Sequence, residues 1–175
     1  MVYCIVSATG QDRPGFVHDI THAIKAAGGN VEHQRSARVA DEYALMILFT
    51  APSTASAEQA AAALRKLGDE KLSIRVRCTE QHAEAIPETA TAVIAASGAD
   101  QPGILDALTS LLLRHGINID TMNFDTEGAP MTGEALFRMD ATVSLPKSVD
   151  SAALRQQLRA LEDEYNFDIL FRFPA

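Results

Sequence analysis

Two short stretches carry residue types that could hold a small anion. Gly10-Gln-Asp-Arg-Pro-Gly15 and Gly98-Ala-Asp-Gln-Pro-Gly103 each stand between an apolar run and an amphipathic one. A loop at such a junction presents backbone amides at the start of a helix, where the positive end of the peptide dipoles favours a carboxylate or phosphate. Glycine at the first position permits φ > 0 for a sharp exit from a strand, and the aspartates, Asp12 and Asp100, are placed to cap the helix. With Asp12 as N-cap, Pro14 falls at N2 and has no N–H to satisfy, which leaves the Gly15 amide at N3 for the carboxylate.

The nucleotide readings of this loop fail on missing residues. There is no Gly-x-Gly-x-x-Gly and no Gly-Lys-Ser/Thr, and Lys25, the nearest lysine, lies at the far end of the following helix. His18 and His22 have the i, i+4 spacing by which two imidazoles share a zinc ion, but no Glu lies between them and no third ligand is identifiable. They are read as residues on or beside the solvent face, and no metal or cofactor is expected. His33, near Asn30, reads as an edge-strand histidine close to the candidate site. Covalent catalysis lacks a Gly-x-Ser-x-Gly, and Asp12 and Asp100 as helix caps would have lowered pKa values unsuited to a general base, so no catalytic residue is assigned. Cys4 and Cys78 fit neither a disulfide framework nor a zinc site and are expected to be reduced and packed in strands.

The elements that position these loops occur twice. Sliding the chain by 88 residues superposes Gly10, Asp12, Pro14, Gly15, Thr21, Gly28 and Asn30 on Gly98, Asp100, Pro102, Gly103, Thr109, Gly116 and Asn118. Val17, Ile20 and Ile24 fall on Leu105, Leu108 and Leu112, a helical spacing that predicts the buried side of the first helix in each copy. Beyond that the offset becomes 94, so the second copy carries six extra residues, placed within Asp125 to Gly133. Each copy reads as a short strand (Val2 to Ala8; Thr91 to Ala96), a helix from the Pro-Gly to Ala27 or His115, and two strands (Asn30 to Val39 with Tyr43 to Thr50; Asn118 to Asp125 with Glu134 to Ser144). A second helix follows, with Ser56 and Gln59 spaced as a capping box in the first copy and Asp150 as N-cap in the second. The final strands are Leu72 to Cys78 and Phe167 to Phe173.

That order, βαββαβ twice, predicts an α+β protein of two ferredoxin-like domains, each an antiparallel sheet with both helices on one face. The expected domains are 1–80 and 90–175, with 81–89, polar and containing Pro87, as the linker. The uncovered sheet face predicts pairing of two copies, within the chain or in a homodimer. A formal net charge of −8 supplies no electrostatic footprint for DNA or RNA, so direct nucleic-acid binding is not expected. No run approaches a membrane span and the first residues lack a basic n-region, so the chain is read as cytoplasmic, with no membrane partner. The run Ala57 to Leu67, rich in alanine, reads as a close-packing or partner face.

Gly-x-Asp-x-Pro-Gly, an amphipathic helix, and then Gly-x-Asn-Val/Ile inside a βαββαβ unit resemble the ACT domain, a small regulatory module that typically binds amino acids. The resemblance covers nearly the whole chain, twice. It implies a ligand at an interface between two copies, touched by the first loop and by the start of the second strand. Carried over, it points to Asp12, Arg13, Pro14, Gly15, Asn30 and Val31, and to Asp100, Gln101, Pro102, Gly103, Asn118 and Ile119. Backbone amides there suit an α-carboxylate, and Asn or Asp side chains can accept from an α-ammonium. Gln101 stands where the first copy has Arg13, so the two loops cannot present the same charge.

Two such domains, with Ala129 to Met139 and Pro146, are further similar to a sub-family of tandem-ACT co-repressors of glycine cleavage genes. That likeness implies no enzyme activity, a small amino acid as ligand, and action through a DNA-binding transcriptional activator. A ligand-independent protein–protein interaction module and a regulatory subunit of a metabolic enzyme are the alternatives.

Overall fold

The computed structural model describes residues 1–79, 89–129 and 133–174. The chain divides into two compact units, Met1–Glu84 and Ala85–Ala175. The first contains β1 (Val2–Gln11), α1 (Phe16–Ala26), β2 (Asn30–Val39), β3 (Glu42–Ala51), α2 (Thr54–Leu67) and β4 (Leu72–Thr79). The second repeats the order with β5 (Thr89–Ala99), α3 (Ile104–Arg114), β6 (Asn118–Gly128), β7 (Ala135–Pro146), α4 (Ser151–Tyr165) and β8 (Phe167–Arg172). The expected linker, 81–89, lies outside the described residues except for Thr89, the first residue of β5.

Each sheet is antiparallel throughout, in the order β2-β3-β1-β4 and β6-β7-β5-β8, the ferredoxin-like arrangement. Alternation along the central strands builds the cores. Cys4, Val6 and Ala8 of β1 meet Ile47 and Phe49 of β3 under the helices, and Ala92, Ile94 and Ala96 meet Met139, Ala141 and Val143 in the second unit. The alanines of α2 are a packing face: Ala57, Ala60 and Ala61 are buried with Leu64, and their small side chains let the helix lie close to the sheet. The six extra residues of the second copy lengthen a hairpin. Two residues turn β2 into β3, after Val39 pairs with Glu42, whereas β6 continues to Gly128 opposite Ala135.

Several local expectations are corrected. The buried line of α1 runs through Phe16, Ile20 and Ile24 and that of α3 through Ile104, Leu108, Leu111 and Leu112, while Val17 is half-buried and Leu105 is 36% exposed. The N-cap of α2 is Ser53, whose Oγ accepts from the Ser56 amide at 3.1 Å, so the helix starts before the expected Ser56–Gln59 box. Asp150 does cap α4, accepting from the amides of Ala152 and Ala153 at 2.8 and 3.2 Å.

The cysteines are also corrected. Cys4 and Cys78 stand directly opposite each other on β1 and β4 and form a disulfide across 74 residues of sequence. Spacing along the chain could not show this, because the pairing is set by the register of β1 against β4, strands that are neighbours in space and last to meet in sequence.

Candidate ligand-binding site

Both Gly-x-Asp-x-Pro-Gly loops fold alike, though not with the expected caps. The left-handed residue is the second glycine: Gly15 has φ 88° and Gly103 φ 97°, and each is the N-cap of its helix. Gly10 and Gly98 stay in their strands and are required by crowding. A Cβ on Gly10 would lie 2.2 Å from the Lys71 carbonyl oxygen, and one on Gly98 2.5 Å from Phe167 Cβ.

Asp12 and Asp100 therefore do not cap. Their amides are still tied to the sheet, Asp12 to the Asp41 carbonyl at 2.9 Å and Asp100 to the Ala135 carbonyl at 2.8 Å, so each helix begins one turn later than the spacing suggests. The Asp12 carboxylate instead lies 3.5 Å from Arg38 Nε. No side chain caps α1 or α3, which leaves the first-turn amides of both helices without a side-chain partner.

The two loops differ as their sequences imply. Arg13 Nη2 donates to Asp19 at 2.7 Å across the first turn of α1, whereas Gln101 Nε2 donates to the Tyr165 carbonyl at 2.9 Å and so ties its loop to the end of α4. Asp12, Arg13, Pro14 and Gly15 are all exposed, as are Asp100, Gln101, Pro102 and Gly103.

The asparagines lie at the opposite end. Asn30 pairs with Thr50 and Thr50 with Tyr3, while the loop leaves the sheet beyond Gly10, which pairs with Tyr43. Seven residues of strand separate those rows, roughly 23 Å. In the second unit Asn118 pairs with Ser144, opposite Thr91, again seven residues from Gly98. Each unit brings Asp12 to Gly15 together, and separately Asn30 with Val31, but never the two groups. The same holds for Asp100 to Gly103 against Asn118 and Ile119.

What the structure adds beside each asparagine is a carboxylate. A β-bulge interrupts β2 between Val31 and His33 and β6 between Ile119 and Thr121, so Glu32 and Asp120 are the extra residues. Glu32 Oε1 accepts from Asn30 Nδ2 and Thr50 Oγ1, both at 3.0 Å. Asp120 accepts from Asn118 Nδ2 at 2.8 Å and Ser144 Oγ at 2.6 Å. These donors hold the Glu32 carboxyl below the usual carboxylate range, the Asn30 bond first and the Thr50 bond next, helped slightly by His33 and opposed by partial desolvation. Glu32, Thr50, Asp120 and Ser144 are not among the residues expected from sequence. The signal was an acid two residues after each repeated Asn, with a hydroxyl at the later offset of the duplication.

The histidines do not converge. His18 and His22 stack at 5.7 Å between ring centroids on α1, and His33 is exposed on the edge strand β2. Among the described residues, no three His, Cys, Asp or Glu side chains are grouped to hold a metal ion, and no helix is long and apolar enough to cross a membrane.

Comparison with known proteins now decides the family. The ACT domain matches residues 3–78 and again 90–172. The chain belongs to the ACT domain family. Along its length this tandem ACT protein is similar to the glycine cleavage system transcriptional repressors of Escherichia coli (strain K12) and Shigella flexneri, each 27% identical over 165 residues, 94% of this chain and 86% of the relative. A crystal structure of an unknown protein from Galdieria sulphuraria superposes with a TM-score of 0.84 at 27% identity, all of both chains being covered. A second crystal structure, described as a glycine cleavage system transcriptional repressor, has a TM-score of 0.68 at 18% identity, covering 99% of this chain and 97% of its own, and speaks for the fold alone. ACT domains are regulatory modules, and the curated relatives are named as regulators, so a regulatory role follows at that level.

Proposed function

We propose that this ACT protein is a non-enzymatic cytoplasmic regulator that senses a small amino acid, glycine being the first candidate. Through a DNA-binding transcriptional activator it would then act as co-repressor of glycine cleavage genes. The observation that carries the reading is the alignment with named repressors along 94% of the chain. The net charge of −8 suits contact with a protein better than with a polyanion.

The ligand site proposed is composite. Uncapped amides at Gly15 or Gly103 would receive the α-carboxylate, and the Asn30–Glu32 or Asn118–Asp120 pair of another copy would face the ammonium. The separation of these groups within each unit supports a site shared between copies, for which a homodimer would be one source. A ligand bridging two copies stabilises their pairing by its differential affinity for the paired state, which is how binding would reach a protein partner.

Thermal-shift and calorimetric titration of the full chain with the proteinogenic amino acids tests this. Glycine or another small amino acid should give a saturable calorimetric isotherm and a melting temperature that climbs with the logarithm of its concentration, the stabilisation reaching about 2.7 kcal/mol at a hundredfold excess over Kd. If none does so at millimolar concentration, sensing fails.

One observation favours a second reading, a ligand-independent interaction module. Arg13 and Asn30 are already engaged by Asp19 and Glu32 of their own unit. Pull-down of an activator by the chain dialysed free of amino acids, undiminished on adding them back, would select that reading.

A further inference from the structure

The disulfide belongs to one copy only, and the groove beside it is the larger of the two that lie between a second helix and a last strand. Cys4 is fully buried, whereas Cys78 is exposed and lines a cavity of about 340 Å³ between α2 and β4, walled by Ala57, Ala61 and Val76. Glu58 and Arg65, both exposed on α2, line the same cavity. In the second unit Ala92 stands at the place of Cys4, and Arg155, Phe171 and Phe173 stand at those of Ala61, Val76 and Cys78. There larger side chains take up part of the space, and the cavity between α4 and β8, lined by Arg155 and Phe171, is about 130 Å³. Arg155 donates to the Phe171 carbonyl at 2.8 Å and lies 4.8 Å over its ring, which packs edge-on against Phe173 at 5.4 Å. Among the described residues the first unit thus keeps an open groove against Cys78, whose disulfide partner Cys4 is fully buried.

We infer that the Cys4–Cys78 bond is a thiol–disulfide exchange site, and that the α2–β4 groove seats a short cysteine-containing peptide with free termini. Glu58 and Arg65 are seven residues apart on α2, about 10.5 Å along its axis. An extended tripeptide spans roughly 10 Å, so its ammonium can face Glu58 while its carboxylate faces Arg65 and its thiol reaches Cys78. Exposure makes a disulfide labile to exchange, and in a thiol-rich compartment such bonds act as redox sensors more than as structural ties.

The chemistry balances without further reagents. The peptide thiolate attacks Cys78 Sγ, the Cys4–Cys78 bond breaks, and its electron pair leaves on Cys4 Sγ, which takes a proton; apolar burial favours that neutral thiol. The product is a mixed disulfide on Cys78. A second peptide thiolate attacks the peptide sulfur of that bond, giving the oxidised peptide dimer and the protein dithiol, two electrons having passed from peptide to protein. The ladder between β1 and β4, from Tyr3–Thr79 to Gly10–Leu72, holds the strands together when the bond is open, so the exchange is reversible without unfolding.

The test treats the air-purified full chain with Gly-Cys-Gly and with its acetylated, amidated form at equal thiolate concentration. Products are mapped by mass spectrometry after acid quench. The adduct should fall on Cys78, and the peptide with free termini should react about fivefold faster, the effect of a charge contact in water-like surroundings. Arg65→Ala and Glu58→Gln, with unchanged melting temperatures, should each reduce that preference. Two free thiols in the air-purified chain, an adduct on Cys4, or equal rates for the two peptides would overturn the inference. A Cys4→Ser variant exposed to the oxidised peptide should still label Cys78; if it does not fold, mapping of the unmodified chain decides alone.

Discussion

Glu32 and Asp120 are each the extra residue of a β-bulge, and each receives the amide of the asparagine two residues before it and a hydroxyl from the neighbouring strand. The duplication thus preserves a polar staple where the sheet begins its edge strand, while letting Glu change to Asp and Thr to Ser. Retention of the arrangement with altered residues points to the hydrogen-bond pattern as the thing kept.

Acid should weaken this staple in the first unit. The Glu32 carboxyl is held below its ordinary value of 4.5, so its contribution is complete above that value and is lost as pH falls through the lower folded one. The melting temperature of the chain should therefore exceed that of Glu32→Gln at pH 7, and the gap should narrow as pH is taken down from 4.5. A gap that stays constant down to the lowest pH at which the chain remains folded would show that the charge is immaterial.

The two glycines of the first loop should respond unequally to alanine. Gly10→Ala forces β1 away from the Lys71 carbonyl and should cost about 3 kcal/mol, as overpacking does. Gly15→Ala needs only a left-handed alanine at an open position and should cost about 1 kcal/mol. Urea denaturation orders them, and a larger loss at Gly15 would contradict the structure.

Capping should separate the aspartates. Asp150→Ala removes two amide bonds at the start of α4 and should cost about 1 kcal/mol. Asp12→Ala removes only an exposed ion pair with Arg38 and should stay within about 0.5 kcal/mol. Equal losses in chemical denaturation would restore Asp12 as a cap.

Exchanging the loops should bear on binding and not on folding. Arg13→Gln gives the first loop the residue of the second and breaks an ion pair whose side chains are 48% and 35% exposed, a loss of at most about 1 kcal/mol. If the first loop receives the carboxylate of an amino acid, titration calorimetry should show that site weakened roughly fivefold, since charge-assisted bonds are the stronger ones. An unaltered isotherm would remove Arg13 from the site.

Much of this architecture is legible in the residues. Asn30 to Val39 is a strand over the range its pattern implies, and Phe137 to Val143 alternate inward as period two requires. Pro52 and Pro146 mark the ends of equivalent strands through the duplication. What could not be read depends on register. Cys4 meets Cys78, and Gly10 meets Lys71, only because β4 returns to β1 after the whole unit has been traversed. The helices start later than their aspartates imply for a related reason: Asp12 has the right type for a cap, but its amide is held by the Asp41 carbonyl from a hairpin distant in sequence. For the site, the loops and asparagines were legible as repeats, whereas their placement at opposite ends of the sheet needed the strand pairings.

That placement sets a ruler. On the composite site proposed above, two chains meeting about a two-fold axis, first unit to first unit, would form two identical pockets together, and a strand's length of roughly 23 Å would hold them apart. A divalent probe, two amino acids joined by a flexible tether matched to that span, should then bind with avidity that its single halves lack, and shortening the tether should abolish the gain abruptly. The length of β1 thereby becomes a quantity measurable in solution, with a chemist's linker in place of a diffraction pattern.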